Sequence, residues 1–198
     1  MTSRALFVFM LCMSAPVLAR EPESRPFDIV IVGGGKSEAE ARTALDTLAA
    51  RVTWVRVANR SSGVGVRKSD DFPGLTKGQY VAVLGLCPRG GKARPAPLLK
   101  AVQGHAPGAY VKHIQGRYDD SCPPLEAFQP PGAKEKPLLD RIQREPTSAK
   151  AYVAYGEFLK DQRRFDEAAA MASHAHDLDP DDPMPPVLLT LIEASRPD

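Results

Sequence analysis

Three glycines closing an apolar run, Asp28-Ile29-Val30-Ile31-Val32-Gly33-Gly34-Gly35, suggest a first chemistry: a nucleotide held where a strand turns into a helix. The spacing argues against it. Counted from Gly33 and Gly35, the third glycine of a dinucleotide fingerprint falls on Glu38, whose bulk keeps a helix off the turn and whose charge repels a pyrophosphate. His174 and His176 suggest a metal. Two positions apart on a helix they point about 200° from each other and cannot share an ion, so they read as solvated surface histidines. Asp177, Asp179, Asp181 and Asp182 form an acidic run, but it lacks the central glycine and closing glutamate of a calcium loop. Ser61-Ser62 has neither a nucleophile elbow nor a recognisable base beside it. No catalytic residue, metal or cofactor is expected, and the chain reads as a binding protein and not an enzyme.

The cysteines depend on the N-terminus. Met1-Thr2-Ser3-Arg4 precedes the apolar stretch Ala5 to Leu18, and Val17-Leu18-Ala19 stands before Arg20-Glu21, the pattern of a secretory signal peptide over residues 1–19. The stretch is shorter than the roughly 20 residues that span a bilayer and is broken by Ser14 and Pro16, so no transmembrane segment is expected in the mature chain. Lipidation at Cys12 competes with simple cleavage, although Leu11 occupies the place of the small residue that such a signal needs. Removal of the leader takes Cys12 with it and leaves Cys87 and Cys122 in a compartment that permits disulfides. They are expected to pair, closing a loop of about 35 residues that stabilises by about 3–4 kcal/mol in the loop-entropy model; two unrelated buried thiols are the alternative. Lys and Arg number 26 against 24 Asp and Glu, a formal charge of +2, which gives no electrostatic case for nucleic acid.

The elements that carry these residues follow from periodicity. Phe27 to Val32 and Tyr80-Val81-Ala82-Val83-Leu84-Gly85 are continuous apolar runs ended by glycine and read as buried strands. Ser37 and Glu40 form a capping box for a helix to Arg51 built on Ala41, Ala44, Leu45 and Leu48. Val52 to Val57 reads as a second strand, and Arg60 to Gly78 as a loop or hairpin connection with a short extended piece near Val64 to Val66. A helix from about Pro95 to Gln103 and a strand from Ala109 to Ile114 complete the second half. The likeness of the two halves indicates an internal duplication. The expected fold class is therefore α+β: a duplicated βαββαβ, ferredoxin-like unit over residues 26–118, with a four-stranded antiparallel sheet covered by helices on one face only. A proline-rich linker over 119–133 leads to an all-α region over 134–198.

In that region Tyr152, Tyr155, Gly156 and Leu159 precede Ala168, Ala172, Ala175 and Pro180. The order matches the tetratricopeptide pattern in spacing and residue size and places a full repeat at 149–182. Aromatic and aliphatic residues of the first helix pack over the alanines of the second, with Gly156 at the closest approach. Lys136 to Arg144 and Pro186 to Ala194 flank it as a partial repeat and a capping helix. So short an array is expected to lean on the α+β unit or on a partner.

The first unit resembles the SPOR family of bacterial envelope proteins, through the openings Ile31-Val32-Gly33-Gly34 and Val83-Leu84-Gly85-Leu86. The resemblance implies an envelope or periplasmic location and binding of peptidoglycan glycan strands on the helix-free sheet face. Trp54, Arg56, Tyr110, Lys112 and His113 are then the candidate glycan contacts on two edge strands, with packing and edge-blocking charge as the alternative reading. Ile29, Ile31, Val81 and Val83 depart from the family pattern, because they make that face apolar. A protein-binding adaptor with no glycan recognition is the second expectation.

Overall fold

The computed structural model describes residues 24–58, 64–90 and 95–197. The expectations for residues 1–19, the signal peptide and Cys12, and for Ser61-Ser62, lie outside them. Strand β1 (Arg25–Gly35) leads into α1 (Glu38–Ala49) and α2 (Thr53–Ala58), followed by β2 (Gly65–Lys68), β3 (Tyr80–Pro88), α3 (Pro95–Gln103) and β4 (Tyr110–Gly116). The helical part comprises α4 (Lys136–Arg144), α5 (Ala149–Asp161), α6 (Phe165–Leu178) and α7 (Met184–Ser195). The strands form one sheet in the order β2-β3-β1-β4, with every neighbouring pair antiparallel. The α+β class and the four-stranded antiparallel sheet are thus present.

Helix α1 starts where the sequence places it. The Ser37 hydroxyl accepts from the Glu40 amide at 3.3 Å, and the Glu40 carboxylate accepts from the amides of Lys36 at 2.7 Å and Ser37 at 3.4 Å. Leu45 and Leu48 of α1, with Leu98 and Val102 of α3, bury one face of the sheet against Val30, Val32, Ala82 and Leu84. Gly33 and Gly35 allow this approach: a Cβ on Gly33 would overlap that of Ala44, and one on Gly35 would overlap the capping side chain of Glu40.

The segment expected as a second strand, Val52 to Val57, is a helix, α2, and the second strand is the short piece at Gly65–Lys68. The reason lies in two cores that share one element. Val52, Val55 and Ala58, at three-residue spacing, face the core under the sheet, whereas Val57 belongs to the core of the helical part. Trp54 packs against both. A helix serving two cores is apolar on two sides and reads as a run rich in β-branched residues. Its valines and threonine cost about 0.5–0.7 kcal/mol each in helix propensity, less than the roughly 1.5–3 kcal/mol gained by burying one valine.

The helix-free face of the sheet is closed by the chain's own loops. Phe27, Ile29, Ile31, Val81, Val83, Leu86 and Ile114 form a third core with Phe72, against which Leu75 and Tyr118 pack. The Tyr118 ring meets Phe27 edge-on at 5.5 Å and Phe72 at 5.7 Å. The face expected to be available for a ligand or a second domain is therefore covered, and its apolar character is that of a core.

Within residues 119–133, expected as a linker, the stretch 121–128 is packed, with Glu126 exposed, whereas 119, 120 and 129–133 are exposed. Cys122 forms a disulfide with Cys87. Leu86 and Ser121 exchange hydrogen bonds: the Ser121 amide donates to the Leu86 carbonyl at 3.1 Å, and the Leu86 amide to the Ser121 hydroxyl at 3.2 Å. Phe128, at the end of a 3-10 turn over Leu125–Phe128, is 2% exposed within the core under α1 and α3.

In the helical part Tyr152, Tyr155, Leu159, Ala168, Ala172 and Ala175 share one core with Ile142 of α4 and with Leu188 and Ile192 of α7. A Cβ on Gly156 would lie 3.0 Å from Leu188, 3.4 Å from the Ala168 carbonyl and 3.5 Å from Met171, so this glycine sits where α5, α6 and α7 converge. Pro180 is exposed, two residues beyond the last residue of α6. The α5–α6 turn is a Schellman arrangement: the Arg164 amide donates to Leu159 and the Arg163 amide to Lys160, both at 2.9 Å. Arg163 holds a left-handed φ of 62° there, a conformation that strains any residue with a Cβ. Arg163→Gly is accordingly expected to raise the unfolding free energy by about 0.5–1 kcal/mol, read as a higher urea midpoint at unchanged slope.

Candidate functional site

Two chambers of a continuous trough lie where the Pro124–Pro131 strap meets the helical part. The first, of about 800 Å³, is bounded by α2, α3, the strap and α4. The second, of about 730 Å³, extends to the α5–α6 turn and the end of α7. Glu126, Glu135, Arg164 and Glu167 border both. Helix α2 packs both into the core under the sheet and against α6, and the disulfide-tied strap and α4 line the space beside it.

An aromatic cluster forms one wall of the first chamber. Trp54 and Phe128 meet edge-on at 6.1 Å, and the His105 ring lies 6.4 Å from Phe128. His105 Nε2 is 3.1 Å from the Phe128 carbonyl, which can only accept, so this nitrogen carries the proton. The carbonyl of His105 accepts from Arg51 at 2.8 Å.

Between the chambers runs an ion network. Arg164 grips Glu167 with Nε at 2.7 Å and Nη2 at 2.5 Å, and its Nη1 donates to Glu135 at 2.7 Å. The Tyr155 hydroxyl donates to the same Glu135 oxygen at 2.7 Å. Glu167 is 2% exposed, and burial raises its pKa above the ordinary carboxylate range, with Arg164 pulling it back down. Burial, with Glu135 beside it, likewise raises the pKa of the Tyr155 hydroxyl. These groups are committed to one another.

The five candidate glycan contacts do not come together. Trp54 and Arg56 lie on α2 and not on an edge strand, with Trp54 at the joint between two cores. Tyr110, Lys112 and His113 are on the edge strand β4, but on two faces of it. Tyr110 and Lys112 alternate onto the side of Ile114, while His113 joins the side of Val111 and meets the carboxylate of Asp28. Asp28 is 5% exposed and also lies 3.6 Å from Arg89 Nε. Of the five, only Trp54 borders the trough.

Other sequence expectations resolve in the same way. The Glu40 carboxylate accepts the amides at the opening of α1, the place where a nucleotide phosphate would sit. His174 is not a surface histidine: it is 8% exposed, with its ring edge-on to Tyr152 at 4.5 Å, while His176 is exposed. Among the described residues there is no group of three or more His, Cys, Asp or Glu that could hold a metal ion, and no helix is long and apolar enough to cross a membrane. The Glu135–Arg164 pair went unread in the sequence because it spans 29 positions, whereas Arg164 and Glu167 are three apart and within reach of a local rule. Phe128, a lone aromatic between proline pairs, was the available signal that the strap is packed.

No family model, no curated protein and no solved structure matches this chain.

Proposed function

We propose that this is an exported, non-catalytic adaptor that binds an extended segment of a protein partner in the trough between its two parts. The observation that carries the reading is the trough itself: a long, open concavity with an aromatic wall, held in shape by a disulfide and a committed ion network. Extended segments bind in such sites by burying apolar side chains against rigid aromatics. The α5–α6 hairpin, with small residues at the helix contact, supports the tetratricopeptide likeness, and the strand order supports a duplicated βαββαβ unit. The Cys87–Cys122 disulfide supports an oxidising compartment outside the cytosol. The glycan reading has less behind it, since its sheet face is sealed by Phe72 and Tyr118 and its contact residues lie apart.

Trp54 is the chain's single tryptophan and stands on the trough wall, so occupancy can be read directly. Peptides selected from a displayed random library on the mature protein are expected to shift Trp54 emission saturably. Selected peptides that leave Trp54 unchanged, or cosedimentation with amidase-treated peptidoglycan when no peptide binds, would count against the adaptor.

A further inference from the structure

Resting on the adaptor reading, we infer that the trough selects an acidic partner segment, one in which carboxylate residues alternate with apolar ones. The ion pairs inside the trough leave an unbalanced remainder. Arg164 is engaged by Glu135 and Glu167, Lys136 by Asp140 at 2.7 Å, and Arg196 by Asp166 at 2.9 Å. Arg51 and Lys100 in the first chamber, and Lys134 and Arg163 in the second, face no carboxylate within ion-pairing distance among the described residues. Among the described residues Arg51 donates to a backbone carbonyl, which brings no compensating charge. Among the described residues Glu126 is the one carboxylate of the trough without a cationic partner.

All four cations are exposed and belong to four different segments, so the excess is spread along the trough, two cations to each chamber. Over the whole trough seven basic side chains stand against five carboxylates, and these four carry the excess. Exposed cations without a carboxylate partner attract and orient the carboxylates of a ligand. The aromatic wall of Trp54 and Phe128 suits the apolar residues of the same segment. A nucleic-acid strand fits less well. Its phosphates recur at every nucleotide and would be carried past Glu126 and Asp140, whereas a peptide can place neutral residues at those points.

The test uses the mature protein and three fluorescein-labelled probes: a nonapeptide alternating glutamate and leucine, its lysine-for-glutamate counterpart, and an oligothymidylate. Anisotropy and Trp54 emission are read at low and high salt. The acidic peptide is expected to bind, to shift Trp54 and to weaken as salt rises. Lys100→Glu and Lys134→Glu, one in each chamber and neither in an ion pair, are each expected to raise its Kd by about tenfold with the melting temperature unchanged. Equal or tighter binding of the lysine peptide, charge reversals that leave the Kd within about twofold, tighter binding of the oligothymidylate, or no binding at all would each overturn the inference. If library-selected peptides still shift Trp54 in that event, the adaptor reading stands without the acidic preference.

Discussion

Arg164→Ala is expected to lower the unfolding free energy by about 3–5 kcal/mol, the cost of leaving a buried charge without its partner. Glu167 is 2% exposed, and both its oxygens are held by Arg164. Without the guanidinium the buried carboxylate takes up a proton or the helix ends separate. The pH dependence gives the signature. Burial raises the Glu167 pKa in the folded chain, so the native state holds a proton more tightly than the unfolded one. Stability from this group is fully present below the unfolded carboxylate value and is lost as pH rises through the raised folded value. Without Arg164 that loss extends to higher pH. The deficit of Arg164→Ala relative to the natural chain should therefore shrink between about pH 8 and about pH 5 in urea titrations. Adding Glu167→Gln to Arg164→Ala removes the charge and should recover part of the loss. A pH-independent deficit below about 1 kcal/mol would show that the pair behaves as a surface salt bridge.

Local signals in the sequence predicted local structure well. The Ser37–Glu40 box, the apolar runs of β1 and β3, the helix over Pro95–Gln103 and the small residues of α5 and α6 each satisfy a rule within a few residues of themselves. What the sequence concealed is where separate elements meet. Helix α2 looks like a strand because two cores claim its sides. Gly33 and Gly85, which read as equivalent ends of duplicated strands, answer to different neighbours: Gly33 admits Ala44 of α1, and Gly85 admits Ser121 and Pro123 of the strap. Ile29, Ile31, Val81 and Val83 correctly announced an apolar face, but their covers, Phe72 and Tyr118, come from loops without periodicity. The trough was the least legible feature, because its walls come from segments far apart in sequence.

Removing the disulfide should have an effect of similar size to the loss of Arg164, by a different route. Cys87 and Cys122 are 35 positions apart, and opening that loop costs about 3–4 kcal/mol in the loop-entropy model. For a chain of this length that corresponds to a fall in melting temperature of roughly 10 °C. Reduction of the natural chain and the Cys122→Ser variant should agree, and the variant should be indifferent to reductant. The loss is expected to concentrate in the strap. Without the bond, this end of the strap is held on β3 by the two Leu86–Ser121 hydrogen bonds, each worth about 1 kcal/mol, and by the packing of Pro123 on Gly85. Amide exchange should therefore quicken over residues 119–131 before it does in β1 or β3. Because the strap is one wall of the trough, peptide affinity should fall with it, whereas a face on the sheet would keep its ligand. Melting of the reduced chain within about 2 °C of the oxidised one would place the strap's stability in Phe128 and leave the disulfide a minor part of the trough.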